Sequence, residues 1–133
     1  MTLILAMLLQ TAAPVPAAIT EIQQRDIDCV ATFGLVAYEQ SRGAPGANRL
    51  RSLALPGKTY AGLIGARLIE EAGLPREVIA AAIAESARAQ ASAAVEAGNP
   101  MRFLTTRYAV CEPLLDAEIA AGGDLRLPKP RGR

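Results

Sequence analysis

The chain has 133 residues, enough for one domain, carries a formal net charge of +1 and contains no histidine. That charge excludes the basic footprint of a nucleic-acid binder, and the missing histidine removes the commonest metal ligand and the usual proton carrier near neutral pH. Apolar residues make up 51% of the sequence, but many are alanine, aromatics are 4% and tryptophan is absent, so the core falls to Leu, Ile, Val and the rings of Phe33, Tyr38, Tyr60, Phe103 and Tyr108.

Residues 1–17 read as a signal peptide. Leu3 to Leu9 is apolar, and Val15-Pro16-Ala17 places small side chains where a signal peptidase cuts. The segment before the apolar run has no Lys or Arg, unlike the usual leader. The competing reading is a buried first helix of a cytosolic protein. A bilayer span takes about 20 apolar residues, so no stable membrane insertion is expected after leader removal. The expected address is the periplasm or the exterior.

Residues 18–121 are expected to fold as a helical domain. Thr20 with Gln23 forms a capping box, and the first helix runs to about Gln40, with Gly43 as its stop. Ile22, Asp26, Val30, Phe33 and Ala37 make one stripe, and Cys29, Phe33 and Val36 an overlapping one, so Phe33 is placed in the core. Residues 41–57 read as a loop with a short helical turn around Asn48 to Leu53, punctuated by Pro56-Gly57. A second helix spans about Lys58 to Ala72, with Gly73 just past its end. A third begins with Pro75 at its first position and reaches Ala97. Val78, Ile79, Ala82, Ile83, Ser86, Gln90, Ala93 and Ala94 trace its inner side.

Gly98 ends that helix, and Asn99 caps a fourth with Pro100 at its first position. Met101, Leu104, Tyr108, Cys111 and Leu115 form its stripe. Pro113 is expected to break or kink it, with a short last segment beyond. Residues 122–133, with Arg126, Lys129, Arg131 and Arg133, are expected to be a disordered basic tail.

Cys29 and Cys111 are the only cysteines, and neither sits in a CxxC motif. Two thiols without histidine make neither a zinc site nor a catalytic pair. In an oxidising compartment the remaining role is a structural disulfide. The expected fold class is therefore all-α, a small four-helix domain whose first and last helices are joined by one disulfide.

Signs of chemistry are sparse, and no catalytic residue, metal site or cofactor is expected. Pro56-Gly57-Lys58-Thr59 matches only the end of a phosphate-binding loop, because Ser52 stands where its first Gly belongs. Asp26 with Asp28, and Glu70 with Glu71, point in different directions on a helix. A long-range carboxylate pair such as Glu39 with Glu112 stays open. Arg102 and Arg107 flank the apolar stripe of the fourth helix, beside Thr105 and Thr106. They are candidates for an anion or peptide site, although snorkelling arginines explain them as well. A ligand pocket between the second and fourth helices is expected to use Tyr60, Leu63, Arg107 and Tyr108.

Asp28-Cys29-Val30, the run Tyr60-Ala61-Gly62-Leu63-Ile64-Gly65-Ala66-Arg67, and Ala109-Val110-Cys111 carry a resemblance. The layout resembles small uncharacterised bacterial periplasmic helical proteins with one cysteine pair, and this implies an address but no activity. It is more loosely similar to acid-protective periplasmic chaperones, whose cysteine spacing is shorter. The leading expectation is a non-enzymatic exported protein that binds another envelope protein or supports an envelope assembly. The alternatives are a small-ligand carrier, an acid-protective chaperone, or an enzyme using carboxylates alone. The oligomeric state is left open.

Overall fold

Thr20 opens the first helix as expected. Its hydroxyl accepts from the Gln23 amide at 3.1 Å, and the Gln23 side chain accepts from the Thr20 amide at 3.0 Å. In the computed structural model, which describes residues 19–121, four helices follow in order. They are α1 (Glu21–Ser41), α2 (Ala54–Ala72), α3 (Arg76–Glu96) and α4 (Pro100–Ala120), with one 3₁₀ turn at Ala47–Arg49 between α1 and α2. No strand occurs among the described residues. The expected leader (1–17) and basic tail (122–133) lie outside the described residues.

The helix α1 is the centre of the fold, packing against α2, α3 and α4. This explains its two overlapping stripes. A helix covered on one side buries one stripe, whereas α1 buries Ile27, Cys29, Val30, Ala31, Thr32, Phe33 and Val36 almost without interruption. Around it close Leu53, Tyr60, Ile64 and Leu68 from the α2 side, Ile79 from α3, and Leu104, Tyr108 and Leu115 from α4.

Cys29 and Cys111 are joined by a disulfide that ties α1 to α4, with Cα atoms 5.4 Å apart. Both residues are fully buried within the apolar core. The fold class is thus the expected one, a four-helix all-α domain with its first and last helices crosslinked.

Several boundaries differ from the sequence reading. The helix α2 starts at Ala54 rather than Lys58. Pro56 lies in its first turn, where backbone N–H groups have no intrahelical partner to lose, so Pro56-Gly57 begins the helix instead of preceding it. Pro75 is the N-cap of α3, in extended backbone, rather than its first helical residue. Of the break or kink expected at Pro113, the break does not occur, and α4 continues through it. Pro113 and Ala109, whose carbonyl loses its partner, both face solvent, so water can take over the lost bond. Tyr38 is 63% exposed and lies beside Arg42 rather than in the core, and Ile22 and Val78 are exposed as well.

The segment after α1 has its own scaffold. Gln40 donates to the carbonyls of Ala47 at 3.2 Å and Arg51 at 2.8 Å, and accepts from the Leu53 amide at 3.1 Å. One side chain at the end of α1 thereby holds the connection to α2, while Leu53 drops into the core. Gly73 and Gly98 adopt left-handed backbone just past α2 and α3, the conformation that ends a helix at little steric cost in glycine.

Candidate functional site

The inner stripe of α3 is interrupted by two polar residues, Ser86 and Gln90, and both are buried. Buried polar groups need partners, and α1 supplies them. The Ser86 hydroxyl donates to Asp28 Oδ1 at 2.6 Å. The Gln90 amide donates to the Asp28 carbonyl at 2.9 Å and to Ser86 Oγ at 3.1 Å. Thr32 donates to Gln90 Oε1 at 2.7 Å, and Gln24 closes the set by donating to Asp28 Oδ1 at 2.9 Å. This closed polar seam fixes the register of α3 against α1. The Ser86–Asp28 contact, held at both ends by Gln90 and Gln24, braces α3 against α1.

The seam is the floor of a groove of about 770 Å³ between α1, α3 and α4. Its walls are the small side chains Ala81, Ala82, Ala89 and Ala93 of α3 and the ring of Phe103 on α4, with Arg107 at the α4 edge. Alanine at these four positions leaves the space beside them open, with Glu85 of α3 also on the lining. A second pocket of about 330 Å³ adjoins it where α3 turns into α4. It shares Phe103 and Arg107 and adds Arg102, Asn99 and Thr106. Asn99 Oδ1 caps α4 by accepting from the Arg102 amide at 3.1 Å.

The four residues expected to line a pocket between α2 and α4 are separated by the fold. Tyr60 and Tyr108 are core residues, each meeting Phe33 edge to face, at centroid distances of 5.1 and 6.2 Å. Burial pushes the Tyr60 phenol up to about 12, with a smaller contribution from the Asp26 charge. Burial likewise pushes Tyr108 up to about 12, helped by its hydrogen bond to Glu112. Leu63 is half-buried on α2. Arg107 lines the groove, to which none of these three contributes.

Three other candidates fall elsewhere. Gly57-Lys58-Thr59 lies inside the first turns of α2, where the Thr59 hydroxyl caps the Leu55 carbonyl at 3.1 Å. Glu39 is held by Arg42 at 2.8 Å, while Glu112 accepts from Tyr108 and lies 3.6 Å from Arg51, so the two serve different contacts. Among the described residues no group of three or more His, Cys, Asp or Glu side chains is arranged to hold a metal ion, and no helix is long and apolar enough to cross a membrane.

The polar floor was within reach of sequence reasoning. Ser86 and Gln90 fall on the inner side of α3 by spacing alone, and a polar residue on a core-facing stripe signals a partner across the interface. Which partner was not legible, because Asp28 and Thr32 look like ordinary helix-surface residues until α1 and α3 are placed side by side. Comparison with protein-family profiles, curated proteins and solved structures finds no match to this chain.

Proposed function

We propose that this is a non-enzymatic exported protein that binds another protein, and that the groove between α1, α3 and α4 seats a segment of that partner. The observation that carries the reading is the groove itself. Its alanine walls admit a partner's side chains closely, and Ser86 and Gln90 of its polar floor already have partners on α1. A segment docking there meets Ser86 and Gln90 already paired with α1. Its span suits a short stretch of polypeptide laid between helices. Export is supported by the Cys29–Cys111 disulfide, a bond that persists in oxidising compartments, and by the leader-like residues 1–17. The likeness to small bacterial periplasmic helical proteins points to the same address.

The test is a photo-crosslinking side chain at Ala89, carried on the full chain in its own envelope. The expected result is a crosslink to one protein identified by mass spectrometry. Ala93→Trp, which fills the groove, abolishes it, and the intact mass of the exported chain is short of its leader. Crosslinks that survive Ala93→Trp, or that arise equally from a crosslinker at Gly34 on the exposed side of α1, refute the groove as the docking site.

A further inference from the structure

Asp28 lies half-buried in the floor of the groove, and only half of its carboxylate is used. Its Oδ1 accepts twice, from Ser86 at 2.6 Å and from Gln24 at 2.9 Å. Its Oδ2 accepts nothing among the described residues, and none of their arginines or lysines pairs with it. Glu85 lines the same groove from α3, is exposed, and has only Arg88 near it, at 3.8 Å. The cations stand on the α4 side, Arg107 in the groove and Arg102 in the adjoining pocket. The Arg107 Nε is buried and unpaired among the described residues, closed to anything that enters the groove. The groove is thus acidic where α1 meets α3 and cationic toward the start of α4, with alanines of α3 along it.

Those charges restrict what can cover the groove. A half-buried carboxylate is stable while water reaches it. Covered by a purely apolar segment, Oδ2 of Asp28 loses that water and gains no donor, which weighs against binding. A segment that closes over the groove therefore brings a cation to this place. Resting on the reading of the groove as a partner's seat, we infer that the bound segment is an apolar stretch of polypeptide carrying a lysine, whose ammonium pairs with Asp28 Oδ2 and with Glu85. The free oxygens select lysine over arginine. A guanidinium grips best with two parallel N–H bonds to both oxygens of one carboxylate, and Oδ1 of Asp28 is already filled by two donors. An ammonium is a point donor that needs one oxygen and turns its other N–H groups to a second acid. Arg107 and Arg102 repel a cation on the α4 side, so the lysine is directed to the α1–α3 side.

The experiment titrates the full exported chain, labelled with nitrogen-15, with four probes. They are the peptide Ser-Ala-Leu-Lys-Ala-Leu-Ser with both ends capped, the same peptide with norleucine or with arginine in place of the lysine, and spermidine. The lysine peptide is expected to shift the amides of Glu85, Ala89 and Ala93, with the norleucine peptide binding about tenfold more weakly and the arginine peptide falling between. Asp28→Asn keeps an oxygen for Ser86 and Gln24 and removes the charge and the free Oδ2. It is expected to bring the lysine and norleucine peptides to within about twofold of each other. Glu85→Gln changes an exposed side chain, is expected to remove part of the same preference, and decides the matter if Asp28→Asn fails to fold. Equal binding of the lysine and norleucine peptides to the parent overturns the ion pair and leaves the groove reading standing. An arginine peptide that binds tighter than the lysine peptide overturns the choice of lysine. Spermidine binding that depends on Asp28, without peptide binding, assigns the site to a free polyamine and overturns the polypeptide. A lysine preference that survives both variants overturns the proposal, as does the failure of every probe to shift the groove.

Discussion

The crosslink between α1 and α4 bears on stability more than any single contact, and its contribution follows from the chain it closes. Cys29 and Cys111 are separated by 82 residues. Loop-closure entropy for a span of that length corresponds to about 4.5 kcal/mol at room temperature, an upper figure because delivered values are often smaller. In a domain of this size about 1 kcal/mol shifts the melting temperature by about 4 °C, so removing the bond is expected to lower it by between about 5 and 18 °C. The assay needs care, because both cysteines are fully buried and reductant meets the bond only when the fold opens. The protein is therefore reduced in denaturant, refolded in reductant and melted beside the oxidised form. Reduced parent protein keeps the sulfur packing, whereas Cys29→Ala with Cys111→Ala loses both crosslink and packing and is expected to melt lower still. If reduced and oxidised forms melt within about 2 °C of each other, the loop-entropy reasoning fails for this fold.

Gln40→Ala removes the side chain that holds the Ala47 and Arg51 carbonyls and the Leu53 amide. A loss of about 1–3 kcal/mol is expected, with faster hydrogen exchange at Leu53, and unchanged exchange counts against the clamp. Pro113→Ala restores a backbone donor to the exposed side of α4 and is expected to raise the urea midpoint by the equivalent of about 1–3 kcal/mol. A lower midpoint shows that the packing of Leu115 requires the proline. Tyr60 and Tyr108 have folded pKa values raised to about 12 by burial, above the ordinary 10.0. A raised value in the folded state means their contribution is present below about pH 10 and is lost as pH climbs toward 12, because only the unfolded chain ionises in that window. Phenolate absorbance that develops for both residues near pH 10 with the fold intact contradicts their burial.

Much of the fold was written locally. The Thr20–Gln23 capping box, the glycines after α1, α2 and α3, and the Asn99-Pro100 start of α4 are signals within a few residues of one another, and each stands where its spacing placed it. The cysteine pair was legible by elimination, since no other chemistry was open to two thiols without histidine. The proline signals misled because a proline's effect depends on what surrounds it. Pro56 sits where a donor is not needed, and Pro113 sits where water can serve the carbonyl it abandons.

The candidate site is another matter. Arg107 was singled out, but beside Tyr60, Leu63 and Tyr108, and packing around Phe33 turns two of those into core residues. Periodicity tells which side of a helix faces inward. It does not tell which neighbour that side will meet. The helix α1 meets three neighbours, so the partner of each buried polar group was decided only when the helices assembled. Asp28 with Ser86, Thr32 with Gln90, and the unpaired Nε of Arg107 beside the alanines of α3 exist only across those interfaces, between residues far apart in the chain. Caps and stripes depend on near neighbours and are fixed by order along the chain, whereas a groove is the space left between helices and depends on how closely their particular side chains let them approach.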